Sequence, residues 1–114
     1  MVTEQTEANF NSLLIMAIDE TVRNLLGVTV VQSLHEHLLK FYGVRVDQIP
    51  NQLPLVHAAF EKAFAVGSKT LEKYAAKRFY EHLSLPFEDQ RCGLSAYVEK
   101  AKAKLESMNQ SRTV

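Results

Sequence analysis

Apolar residues recur every three or four positions along most of this chain, and glycine or proline interrupts that rhythm at a few points. Over residues 6–26, Phe10, Leu13, Leu14, Ala17, Ile18, Val22, Leu25 and Leu26 fall on one helical face. Gly27 follows, and a left-handed helix end is open to glycine without steric cost. Ile15 and Met16 widen the stripe. A stripe that broad predicts contact with more than one neighbouring helix, or with another chain.

A second helix is expected over 29–42, capped by Thr29, carrying Val31, Leu34, Leu38 and Phe41 or Tyr42, and stopped by Gly43. Residues 47–50 read as a single short turn. Asp47 is its expected cap, Pro50 prevents a longer helix, and Ile49 plugs the turn into the core. A third helix over 51–66 places Pro54 in its first turn, where a missing N–H costs nothing. Its buried face is Leu53, Val56, Phe60 and Phe64. Gly67 ends it, and Ser68 is the expected cap of a fourth helix over 68–84, with Leu71, Ala75, Phe79 and Leu83 inward. The last helix, 94–107, repeats Leu94, Tyr97, Val98, Ala101 and Leu105. The pattern therefore predicts an all-α bundle of five helices in a single domain over 1–107. A polar tail, 108–114, is expected to fray.

The length of 114 residues suits one domain with a self-sufficient core. The formal net charge is zero, whereas nucleic-acid-binding domains usually carry a basic excess because phosphate neutralisation supplies much of their affinity. The charge is unevenly spread: residues from 68 onward carry three more basic than acidic side chains, and the first half has the reverse. The single cysteine, Cys92, has no internal disulfide partner, which suits a reducing cytoplasm. The acidic, polar start lacks the basic region of a secretory signal. The apolar run 13–18 is far short of the ~20 residues that span a membrane.

Tests for chemistry return little. His35 and His37 stand about 200° apart on a helix and do not share a metal from one face. His57 and His82 stand alone on different helices, so the histidines read as satisfied or surface groups. The carboxylate pairs Asp19–Glu20 and Glu88–Asp89 lie in polar settings, and no acid reads as buried. There is no nucleophile elbow, phosphate loop or dinucleotide fingerprint, so no catalytic, metal or cofactor residue is assigned. The strongest polar pattern is Lys69, Lys73 and Lys77 at spacings of four, with Arg78 beside them. These four are the expected contacts for an anion or a partner, and Ile15 and Met16 the expected apolar contact.

From 25 to 85 the chain resembles the Nitrososphaera output domain family, a small archaeal helical family of unknown function. The resemblance is carried by Leu26-Gly27, Leu34 and Leu38, the turn from Val44 to Ile49-Pro50, then Phe60, Phe64, Gly67, Leu71 and the helix ending at Leu83. It implies a signalling output domain, here standing alone, with no catalytic residue to carry over. The expected function is a non-enzymatic interaction or regulatory module, acting through helix-mediated contacts with a protein partner or a second copy. The alternatives are a nucleic-acid-binding regulator using the Lys69/Lys73/Lys77 face, and a small-ligand sensor with a pocket between helices.

Overall fold

A computed structural model describes residues 4–112 of the chain, with side chains over 9–107. The described residues form helices and connecting turns, with no strand. Five α-helices run in order: α1 Glu4–Leu26, α2 Val28–Tyr42, α3 Leu53–Phe64, α4 Gly67–His82 and α5 Leu94–Arg112. A 3₁₀ turn, Val46–Asn51, lies between α2 and α3. The expected all-α bundle is therefore the fold.

The boundaries show which local forces win. Gly27 takes φ 101° and its N–H closes α1 on the Arg23 carbonyl at 2.9 Å, so α2 begins at once at Val28. Thr29 lies inside α2 and caps nothing, contrary to expectation. Gly43 ends α2, as expected, and does so in the left-handed conformation at φ 66°. The short turn covers 46–51 rather than 47–50. Its entry is held by the Arg45 backbone N–H donating to Gln48 Oε1 at 2.9 Å, while Asp47 pairs with the Arg45 side chain instead of capping. Ile49 is buried as expected.

The α3–α4 junction also departs from the expected 51–66 and 68–84. α3 ends at Phe64 because Ala65 adopts φ 49°. α4 then starts at Gly67, and Ser68 is buried within its first turn rather than capping it. α4 stops at His82, since Ser84 turns left-handed at φ 58° and the Leu85 N–H reaches back to the Tyr80 carbonyl at 2.9 Å. α5 continues through Arg112, past its expected end at 107 and into the stretch read as a polar tail. That stretch has no glycine or proline and is rich in good helix formers; residues 113–114 lie outside the described region.

α1 packs along α4 and also meets α2 and the 3₁₀ turn. α3 bridges α2, α4 and α5, and α5 lies on α4. The core is one cluster: Leu14, Ala17, Ile18 and Val22 from α1, Leu34 and Leu38 from α2, Val56 and Phe60 from α3, Ala75 and Phe79 from α4, and Leu94, Tyr97 and Ala101 from α5. Phe10 packs edge-on to Phe79 with ring centroids 5.0 Å apart. Burial of one such large side chain contributes about 1.5–3 kcal/mol. Where α3, α4 and the start of α5 meet, two adjoining hollows open to the surface.

Candidate functional site: a groove floored by Glu72

On α4, residues 68, 71, 72, 75, 76, 79 and 80 lie on one side of the helix. All are buried, including Ser68 and Glu72. An acid in the middle of an apolar stripe needs partners, because an unpaired buried polar group is costly. Glu72 has two. Its Oε1 accepts the Leu94 N–H at 3.0 Å, at the first turn of α5. Its Oε2 stands 2.6 Å from His57 Nδ1 on α3. One carboxyl group thus ties three helices together. The expectation that no acid is buried is overturned here, and the stripe itself was the signal: Glu72 stands between Leu71, Ala75 and Ala76.

His57 stands at the surface side of this pair. Its Nε2 lies 3.0 Å from Glu61 Oε1, one turn further along α3. The reading of histidines as satisfied groups holds for His57, for His35 against Asp19 at 2.8 Å, and for His82 against Glu20 at 2.6 Å. His37 differs: its buried Nε2 has no hydrogen-bond partner.

The loop over 83–93 forms the opposite wall. Phe87 packs with the rings of Tyr80 and Tyr97, and Tyr80 donates its hydroxyl hydrogen to the Tyr97 carbonyl at 2.7 Å. The Tyr97 hydroxyl accepts the Gln90 N–H at 2.9 Å, which pins the loop to α5. Burial raises the phenol pKa of both tyrosines, so both stay neutral well into the alkaline range. Asp89 bonds Lys73 Nζ at 2.7 Å and accepts the Arg91 N–H at 3.1 Å. The Lys73 ammonium holds the Asp89 carboxyl below its ordinary pKa, and Asp89 in turn raises that of Lys73. Arg91 sits at φ 54°, a strained conformation for a residue with a Cβ. Lys100 bonds Gln90 and approaches the half-buried Cys92 Sγ at 4.0 Å.

Between these walls lie two cavities. One, of about 400 Å³, is lined by His57, Lys69, Thr70, Glu72, Lys73, Asp89, Arg91, Cys92, Gly93 and Tyr97. The other, of about 420 Å³, is lined by Pro54, His57, Glu72, Gly93, Ser95 and Ala96. They share His57, Glu72 and Gly93, so they adjoin at the Glu72 carboxyl, and the two together make up the Glu72 groove with that carboxyl at its waist.

The residues singled out from sequence fall in different places. Lys69 and Lys73 line the groove, whereas Lys77 and Arg78 line a separate cleft with Thr21, Asn24, Leu25, Tyr74 and Glu81. Arg78 also lies 3.9 Å from Glu20 and 3.8 Å from Glu81. The basic stripe is thus divided between two surfaces, with Lys73 already paired. Ile15 is half-buried against the core, while Met16 is 46% exposed. Larger apolar exposure lies at the α1–α2 corner, in Leu25, Leu26 and Val28. Sequence reading did not find His57, Glu72, Asp89, Arg91 or Tyr97 as a set, because three helices and a loop bring them together.

Comparison of the chain with family models, curated proteins and solved structures gives no match. Among the described residues no group of three or more His, Cys, Asp or Glu side chains is placed to hold a metal, and no helix is long and apolar enough to cross a membrane.

Proposed function

We propose that this protein is a non-enzymatic binding module that acts through the Glu72 groove, with a regulatory role of the kind the family resemblance implies. No family match accompanies that resemblance, so the groove carries the reading.

The observation that supports this reading is the engagement of the groove's acid–base pair by the fold. Both Glu72 oxygens are engaged, one by the α5 backbone and one by His57, whose other nitrogen faces Glu61. A general base needs a lone pair aimed at a substrate proton, and both Glu72 oxygens are turned towards donors of the protein itself. What the groove offers is shape, a fixed floor and a rim of donors, which suits holding a ligand. Its volume falls in the range of metabolite-sized sites. The lone unpaired Cys92 supports a reducing, cytoplasmic setting.

The test is chemical-shift mapping of ¹⁵N-labelled protein against a chemically varied set of fragments. The amides of 69–73 and 91–96 are expected to respond first, with every fragment recovered unaltered. Responses confined to other surfaces would remove the groove from consideration, and turnover of a bound fragment would remove the non-enzymatic reading.

A further inference from the structure

The cations at the mouth of the groove are not all used by the fold. Lys73 is held by Asp89 at 2.7 Å. Among the described residues the Lys69 ammonium and the Arg91 guanidinium have no hydrogen-bond or ion-pair partner, although both line the same cavity. The two acids of that cavity are already engaged, Glu72 by Leu94 and His57, Asp89 by Lys73 and the Arg91 N–H. The charge left to meet a ligand is therefore positive, and it is confined to one end. The other end, past the waist, is lined by Pro54, Ser95 and Ala96, which carry no charge.

We propose, resting on the reading of the groove as the binding site, that it takes a small molecule with a phosphate or carboxylate head and a neutral tail. The head seats between Lys69 and Arg91, and the tail lies past Glu72 towards Pro54 and Ser95. Charge-assisted bonds to an ammonium and a guanidinium are the strong kind, and a guanidinium fork matches the paired oxygens of both head groups. The concave, metabolite-sized space suits such a molecule better than a nucleic-acid backbone, whose continuous phosphates need a continuous basic track. Here Lys77 faces a different cleft.

Four probes of equal chain length separate the elements of this proposal: hexyl phosphate, hexanoate, hexanol and hexylammonium, with inorganic phosphate as the headgroup alone. Binding is read by calorimetry and by amide shifts at the groove. Hexyl phosphate and hexanoate are expected to bind more tightly than hexanol, and hexyl phosphate more tightly than inorganic phosphate. The double variant Lys69→Gln/Arg91→Asn should weaken both anions about tenfold or more, the size of one bond to a charged group, and leave hexanol unchanged. Asparagine is chosen because it tolerates a positive φ. Ser95→Trp, at an exposed position, should bring hexyl phosphate down to the affinity of inorganic phosphate. Thermal melts confirm that each variant is folded. If hexanol or hexylammonium binds the groove as well as the anions do, the ligand class is wrong while the groove remains a binding site. If none of the probes shifts the groove amides at millimolar concentration, both readings fall.

Discussion

Two histidine–glutamate pairs in this protein have the same length and different consequences. His82 and Glu20 join α4 to α1 at 2.6 Å, and His57 and Glu72 join α3 to α4 at 2.6 Å. The Glu20 side chain is 28% exposed, that of Glu72 only 4%. Water competes for Glu20 and shares its charge, and Arg78 stands nearby. Glu72 depends on its protein partners for every bond. The same chemistry is therefore a modest clasp on one side of α4 and an obligatory joint on the other. The joint also forms the waist of the groove, so binding site and fold share one carboxyl group.

The strongest way to break this contrast is Glu72→Ala. The change strands the buried Leu94 N–H and frees His57, and should destabilise the protein by about 3 kcal/mol, the cost of removing one partner from a buried polar joint. Urea denaturation measures it. Glu72→Gln keeps an acceptor for Leu94 and should recover part of the loss. A loss below about 1 kcal/mol for Glu72→Ala, which is what an exposed pair is worth, would show that the two pairs are equivalent and that the joint is not one.

Next in size is Tyr97→Phe. It leaves the ring stack with Tyr80 and Phe87 intact and removes the acceptor for the Gln90 N–H. It also removes the donor of a long bond to Asp89 at 3.4 Å, and the expected loss is about 1–1.5 kcal/mol, dominated by the shorter bond. It should be accompanied by faster amide exchange in 88–92, the wall of the groove. Unchanged exchange there would mean that Phe87 alone holds the loop. Burial raises the Tyr97 and Tyr80 pKa values, so their contribution is whole below the ordinary phenol value and is lost as pH rises through the folded values. Stability should therefore fall above about pH 10.

How much of this was legible in the sequence follows the range of the interaction. Helix count and the buried faces depend on local periodicity, and Leu14, Ile18, Leu38, Phe60, Phe79 and Tyr97 are buried where the spacing put them. The junctions were misread where a backbone conformation went against residue preference. Ala65 and Ser84 take positive φ without being glycine, and so end α3 and α4 early. The groove was hidden for a different reason. His57, Glu72 and Leu94 lie far apart in sequence and meet through tertiary packing, so nothing local marked them as partners. Only the place of Glu72 within the apolar stripe of α4 carried a trace of it.

The exposed clasp should yield less than either groove change. The hydrogen bond from His82 holds the Glu20 carboxyl below its ordinary pKa, with the charges of His82, Arg78 and Arg23 adding to the effect. A depressed carboxyl pKa contributes stability that is complete above the unfolded value, about 4, and is lost as pH falls through the folded value. Glu20→Gln should then cost at most about 1 kcal/mol at neutral pH, and the variant and parent should converge on acidification below about pH 4. Melting curves over that range decide it. Curves that stay parallel would mean that Glu20 does not contribute through its charge.

The smallest effect belongs to the histidine that has no partner, and it sharpens the comparison from the opposite side. His37 Nε2 is buried beside a small apolar cavity of about 170 Å³ lined by Val30, Ser33, Leu34, Ala63 and Phe64. Its ring lies against Phe41, with centroids 4.7 Å apart, and near Tyr42. A buried nitrogen without a hydrogen bond costs free energy that an apolar side chain of similar size does not. His37→Leu should therefore stabilise the protein by about 0.5–1 kcal/mol, while His57→Leu, which orphans Glu72, should destabilise it. The two substitutions are chemically identical, so the sign of each change in urea midpoint reports whether the histidine was engaged. If both variants shift the same way, partner bonding is not what distinguishes these residues, and the role assigned to the Glu72 joint loses its basis.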